Sequence, residues 1–500
     1  MNILQAKTEI INTIRAYRTK DEFGNPVIVK QRQRPIFLLG VPGVGKTDIV
    51  QQVADELQLP LVSYSMTHHT RQSALGLPYI KEEEFDGKTY RMTEYTMSEI
   101  IVSIYHKMEK TGEKEGILFL DEINCVSETL APAMLQFLQY KKFGEHEVPE
   151  GWIIVTAGNP IEFNKSVKEF DIATMDRLKR IEVEADYGVW RDYAVNARVH
   201  QAIVGYLDSY PGDFLSIETT VDGKHFATPR GWMDMSDILR LYEKNDIPAS
   251  YDLMIQYIQS PAIARRFCTY YDLFIKYRRR YAVSDILDGK ANASVLEKAA
   301  KAKTDEKLSL TALLFESLME CIDPVVEKHA CLQSVNASIR DIRVAAVTSH
   351  RSVAALIKDE TDKLNKQLQK GLDGNMLSSE NGDTLRRELA FYAEVLPEAE
   401  LAASEKAASE ALKAAYDVEK LKLKKQAEAA KQRCTNVIRF VSDAFGKGGE
   451  LSVLITDLTA ASNAARFMQA YGCDEYYQFV NDMLISTRQM EIMKKLETLE

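Results

Sequence analysis

Long apolar runs are missing from this sequence, as are paired cysteines, an apolar leader and any surplus of positive charge. No run approaches the ~18 apolar residues that a helical membrane span needs, so membrane insertion is not expected. The first residues, MNILQAKTEIINTIRAYRTKDEF, are charged throughout and lack a signal core. Six cysteines (Cys125, Cys268, Cys321, Cys331, Cys434, Cys473) are scattered with no C-x-x-C pair. This argues against a disulfide framework and a zinc site, and suits reduced thiols in a cytoplasmic protein. A net charge of −10 argues against broad non-specific contact with nucleic acid or anionic membrane, though a local basic groove is compatible with it.

What is present is a globular composition, 45% hydrophobic and 27% charged, over 500 residues. That length implies two to four domains. The chain is organised around PIFLLGVPGVGKTDIVQQV, residues 35–53. Ile36-Phe37-Leu38-Leu39 has the length of a buried strand. It leads into Gly40-Val41-Pro42-Gly43-Val44-Gly45-Lys46-Thr47, which fits G-x-x-x-x-G-K-[ST]. After Asp48, the apolar residues Ile49, Val50, Val53 and Leu57 mark one helix face. Glycines at 40, 43 and 45 let backbone N–H groups curl around a polyphosphate. The helix start adds its positive dipole end, Lys46 reaches the β/γ-phosphates, and the Thr47 hydroxyl can ligate Mg²⁺. The expected ligand is a nucleoside triphosphate.

Ile117-Leu118-Phe119-Leu120 ends in Asp121-Glu122, about 75 residues after the glycine loop. In a parallel sheet, acids at a strand's carboxyl end emerge at the phosphates. Asp121 is then expected in the Mg²⁺ shell, and Glu122 to orient the attacking water or accept its proton. A further buried strand, Trp152–Ala157, ends at Gly158-Asn159-Pro160, where Asn159 can touch the γ-phosphate or position the water. Arg177 and Arg180, in DIATMDRLKR, are both candidates to reach a neighbouring subunit's γ-phosphate. Arg230, in the first turn of a helix opened by Thr228 or Pro229, sits against the helix dipole, which suggests an anion to meet. Between strands, LPYIKEEEFDGKTYRM reads as a hairpin turning at Asp86-Gly87. His68-His69 is a poor metal pair, because neighbouring side chains point apart and no further ligand lies at suitable spacing.

Taken in order, GVPGVGKT at 40–47, LDEIN at 120–124, AGNP at 157–160, MDRL at 175–178 and TPRG at 228–231 resemble an AAA+ ATPase, and within that class the MoxR family. The resemblance spans roughly residues 30–290. It implies an α/β fold: a P-loop AAA+ αβα domain (35–186) with a five-stranded parallel sheet, followed by a helical lid (187–290). It further implies ATP and Mg²⁺ as ligands, a homo-oligomeric and usually hexameric ring, and a protein client, one with a von Willebrand factor A domain being indicated. The implied roles are Walker A for Lys46 and Thr47, Walker B for Asp121 and Glu122, first sensor for Asn159, arginine finger for Arg177 and second sensor for Arg230. The hairpin matches the clade's helix-2 insertion. Two departures stand out. Cys125 replaces an arginine common in the family, leaving Lys179 or Arg180 to compensate or the interface to differ. Leu178 replaces a phenylalanine.

Residues 1–34 read as one amphipathic helix and a polar turn. Helix is also expected from Tyr187 to about Leu207. Arg278-Arg279-Arg280, flanked by tyrosines, reads as a helix end rather than a nucleic-acid patch. Residues 291–500 are helix-rich, with Leu332, Val335, Ile339, Ile342, Ala346, Ser349, Val353 and Leu356 spaced like a coiled-coil seam. A polar break is expected over 371–382. A second long helix is expected from about Glu398, just after Pro397, to Ala444, giving an antiparallel arm. The basic run 420–433 reads as a solvated helix face. Two further functions stay open at this level: a nucleic-acid motor, disfavoured by the acidic Lys81-Glu82-Glu83-Glu84, and a nucleotide-gated scaffold with little turnover.

Overall fold

Five short apolar runs become one parallel sheet. In the computed structural model, which describes residues 1–68, 70–163, 167–220 and 223–482, the chain divides into two compact units. One holds residues 1–189 and 362–382, the other 190–361 and those from 383 on.

In the first unit the strands, in chain order, are β1 (Ile36–Gly40), β2 (Leu61–Ser65), β3 (Pro78–Phe85), β4 (Lys88–Tyr95), β5 (Gly116–Asp121), the short β6 (Lys142–Phe143) and β7 (His146–Glu147), β8 (Trp152–Gly158) and β9 (Lys179–Val183). The sheet order is β2-β5-β8-β1-β9, with all neighbours parallel. The helices are α1 (Ile3–Tyr17), α2 (Lys46–Leu57), α3 (Arg71–Leu75), α4 (Glu99–Thr111), α5 (Ala131–Tyr140) and α6 (Ile172–Met175). Because side chains alternate along a strand, the central strands are apolar on both faces. Ile36, Leu38 and Phe119 meet Ile10, Ile14, Val50 and Val53 of α1 and α2. Phe37, Leu118, Leu120 and Ile154 meet Ile100 and Ile104 of α4, and Met134 and Phe137 of α5. Each such side chain contributes ~1.5–3 kcal/mol by leaving water. This is the expected αβα sandwich.

The helix expected over residues 1–34 is α1. An Asn2 capping box starts it, and Arg18 and Lys20 beyond its end hold Glu115 at 2.7 and 3.2 Å, below the start of β5. The hairpin is β3–β4. Its Asp86-Gly87 turn has φ +54° and +75°, the left-handed pair that twists two strands together.

The second unit contains the rest of α7 (Tyr187–Asn196), α8 (Gln201–Ser209), the ribbon β10 (Ser216–Thr220) and β11 (Gly223–Ala227), then α9 (Pro229–Lys244), α10 (Tyr251–Tyr257), α11 (Pro261–Arg280), α12 (Val283–Leu287), α13 (Ala293–Ala300), α14 (Thr304–Ser349), α15 (Val353–Gly374, its end in the first unit), α16 (Ser379–Leu401), α17 (Glu405–Phe445), α18 (Gly449–Ala460) and α19 (Ser462–Tyr471). A long helical carboxyl-terminal region is therefore present. None of the described helices is long and apolar enough to cross a membrane.

Four expectations need correction. The helix from Tyr187 is broken at Arg198, whose φ is +59°. The seam from Leu332 to Leu356 is not one helix: α14 ends at Ser349 and His350 turns left-handed at φ +51°. Pro397 lies inside α16 rather than before a helix, and Ser404 caps α17 by accepting from the Ala407 N–H at 3.2 Å. The break expected over 371–382 shrinks to the few residues between Gly374 and Ser379. The long helices α14 and α17 are antiparallel, since Lys328 meets Glu419 at 2.7 Å while the earlier Cys321 meets the later Arg433 at 3.0 Å. They are joined through α15 and α16, not by one turn.

Candidate functional site

The site forms where β1, β5 and β8 end. Gly40 closes β1 with no room for a side chain, since a Cβ there would lie 2.6 Å from the Val183 carbonyl oxygen. Gly43 and Gly45 take φ +79° and +94°, and Gly45 is the N-cap of α2, where it offers no side-chain acceptor. Such a helix start is suited to an anion. Val44 is buried and anchors the loop in the core beside α2. Pro42 and Asp48 flank it, Asp48 in the helix's first turn.

Lys46 is 8% exposed, so its charge must be met locally. Its Nζ donates to Gly40 O at 2.8 Å, Val41 O at 3.1 Å and Asn159 Oδ1 at 2.9 Å. The Thr47 hydroxyl donates to Asp121 Oδ2 at 2.9 Å. Hydroxyl and carboxylate at this spacing form a hard-oxygen donor set that fits Mg²⁺. The other Asp121 oxygen accepts from the Glu122 N–H at 2.9 Å. Glu122 itself sits at φ +56°, ψ +36°, a strained conformation for a residue with a Cβ, of the kind found at functional sites. Thus Lys46, Thr47, Asp121, Glu122 and Asn159, drawn from three strand ends, share one edge of the sheet.

Two residues here were not singled out from the sequence. Ser65, the last residue of β2, donates to Glu122 Oε2 at 3.4 Å. Asn124 donates its Nδ2 to Asn159 O at 2.8 Å. The strand-end position of Ser65, shared with Asp121, was the available signal, and Asn124 lay inside the quoted LDEIN.

Arg177 follows α6. Asp171 caps that helix by accepting from the Thr174 N–H at 2.7 Å, and hydrogen bonds from Thr174 hold its carboxyl below the usual range. The exposed Arg177 guanidinium donates to Ala173 O at 2.8 Å and has no ion pair among the described residues. Arg180 pairs with Glu182, and Lys179 holds Glu9 at 2.6 Å. Both cations suggested as substitutes beside Cys125 are therefore engaged elsewhere. Burial, with Glu122 and Asp121 adding to it, pushes the Cys125 thiol up and keeps it neutral.

Arg230 belongs to the second unit. Thr228 caps α9, accepting from the Gly231 N–H at 3.2 Å, and Trp232 packs edge-on to Phe267 at 5.3 Å, leaving Arg230 exposed. In the arginine run, Arg278 pairs with Glu243 at 2.7 Å and Arg280 with Glu306 at 3.1 Å. His69 lies outside the described residues.

Residues 35–178 match the family described as AAA domain (dynein-related subfamily). No curated protein matches the chain. The match supports an AAA+ P-loop ATPase domain over the segment that carries Lys46, Asp121, Glu122, Asn159 and Arg177.

Proposed function

We propose that this protein, working through its AAA domain, is a ring-forming, Mg²⁺-dependent ATPase that remodels, activates or loads a protein client. One observation carries the reading. Lys46, the Thr47–Asp121 pair, Glu122 and Asn159 gather where three parallel strands end, beside a glycine loop that opens a helix.

In this reading the loop from Gly40 to Gly45 cradles the phosphates and Lys46 neutralises them. Thr47 and Asp121 would hold Mg²⁺, which would neutralise charge on the phosphate oxygens. Glu122 orients a water molecule and takes its proton as the oxygen attacks. Asn159 meets the γ-phosphate. Arg177 serves a neighbouring subunit, being exposed and without an ion pair among the described residues, whereas Arg180 is occupied by Glu182. Arg230 belongs to a helical lid spanning 187–290. The hairpin is a candidate client contact: its tip exposes Phe85 and Tyr90, rings 6.2 Å apart, above a run of glutamates. The MoxR resemblance points to a client with a von Willebrand factor A domain.

Steady-state ATPase against protein concentration, with mass photometry on the same samples, tests this. Specific activity should rise as a ring-sized species appears. Glu122→Gln should assemble with ATP yet lose at least ~10²-fold in turnover, and so trap the client for isolation. Flat activity in a monomer would overturn the ring.

A further inference from the structure

We infer that Asn124 is a positioning residue, which aims the Asn159 side chain by holding the Asn159 backbone. The inference rests on the ATPase reading above. Pairing between β1 and β8 ends at Leu39 and Gly158, so Asn159 is the first residue beyond that ladder. Its carbonyl is taken at 2.8 Å by the side-chain amide of Asn124, in the turn that follows β5 on the other side of β8. Pro160 follows and restricts Asn159 to extended conformations. With β8 fixed on one side and the Asn124 amide on the other, little freedom remains to Asn159 except in its own side chain. That side chain ends on Lys46 Nζ at 2.9 Å.

The contact is tight and one-sided. Asn124 is 5% exposed, and a Cβ on Gly158 would lie 2.5 Å from its Oδ1 and 2.7 Å from its Cγ. The same Oδ1 is buried with no hydrogen-bond partner among the described residues. An unpaired buried acceptor costs stability, so an apolar residue would serve packing better. What an apolar residue lacks is the N–H donor. The backbone of Asn124 is fixed as well, its carbonyl accepting from the Lys168 N–H at 2.9 Å. Asn124 therefore ties the strand-end acids at 121–122 to the amide at 159, beside a glycine where any side chain would force the Asn124 amide to shift.

The test is a cycle of Asn124→Ala, Gly158→Ala and the double variant, read by melting temperature, kcat, KM for ATP and ADP affinity, with Asn124→Asp as an isosteric variant lacking the donor. Both single changes at Asn124 should lower kcat by about 10–100-fold, as small misplacements of reacting groups do, and leave ADP affinity and KM within about threefold. Gly158→Ala should lower the melting temperature, and adding Asn124→Ala should restore it, because the new methyl group then has room. Turnover should not return. The inference is overturned if Asn124→Ala keeps wild-type kcat, if the double variant regains kcat with its stability, or if the melting temperatures show no coupling. A wild type that hydrolyses no nucleotide sinks the ATPase reading, and the positioning role with it. A normal wild type beside an unaffected Asn124→Ala sinks the positioning role alone.

Discussion

The two units use charge in opposite ways. In the first, Lys46, Asp121, Glu122 and Asn159 converge on one sheet edge, bonded mainly to one another and to the glycine loop. In the second, charges are matched and half-buried between helices. Arg191 bridges Asp208 and Asp457, Arg198 holds Asp323, and Glu243 gathers His200, Tyr271 and Arg278. A convergent cluster is poised for a ligand, whereas a matched network fixes packing. Substitutions within that convergent cluster should therefore strike turnover, and those within the matched network stability.

The sharpest break of that contrast lies in the first unit. If Arg177 reaches a neighbour's phosphate, Arg177→Ala should lower kcat by ~10³-fold or more with its melting temperature unchanged. Arg180→Ala, which removes an exposed pair with Glu182, should stay within a few-fold. Mixing Arg177→Ala with Glu122→Gln separates the two roles further. A neighbour-supplied arginine lets some mixed interfaces recover activity, and an arginine acting within its own subunit does not.

In the second unit the largest effect should come from Arg191. It donates to Asp208 at 2.7 and 3.1 Å and to the buried Asp457 at 2.8 Å. Burial pushes the Asp457 carboxyl up, and Arg191 opposes this. Arg191→Met would leave that carboxylate without its cation and should cost about 3–5 kcal/mol in chemical denaturation. Turnover per folded molecule should not change. Adding Asp457→Asn should recover much of the loss, and failure to do so would show that Arg191 acts through packing of its stem instead.

Glu243 carries the pH dependence. Burial pushes its carboxyl up, but His200, Arg278 and Tyr271 outweigh that and bring it down to about 2 from 4.5. A depressed carboxyl stabilises the fold above its unfolded value, and that stabilisation is lost as pH falls from about 4.5 toward about 2. Denaturant melts of wild type and Glu243→Gln should therefore differ most at pH 7 and converge as pH falls through that window. A gap that stays constant would mean that Glu243 matters by its shape.

Where the contrast falls is also where the sequence was readable. Glycine loop, acidic strand end and Asn-Pro turn are local signals, because each needs its residue types at fixed spacing along one strand and turn. The strands and the hairpin followed from period and turn chemistry for the same reason. Asn124 was invisible in its role, since the register of β8 against β5 decides that its amide faces Asn159. The helix breaks at Arg198 and His350 were missed because both residues take a left-handed turn that neither glycine nor proline announced. Pro397 misled in the other direction, reading as a boundary although the helix continues through it. Nor does any periodicity tell that residues 362–382 return to the first unit.

That return gives the smallest effect and the finest test of how far the first unit's stability is shared along the chain. Gln51 and Gln58, on the helix that the glycine loop opens, donate to the carbonyls of Asn375 at 2.7 Å and Met376 at 3.1 Å. Lys107 of α4 donates to Asp373 O at 2.6 Å, and burial pushes its ammonium down. Met376 is buried, so apolar contact helps to hold the turn. Each neutral bond contributes ~1 kcal/mol. Gln51→Ala or Gln58→Ala should therefore speed amide exchange around 373–377 about fivefold, without changing exchange in the central strands. Unchanged exchange at the turn would assign the attachment to Met376, and Met376→Ala should then release it where the glutamine changes did not.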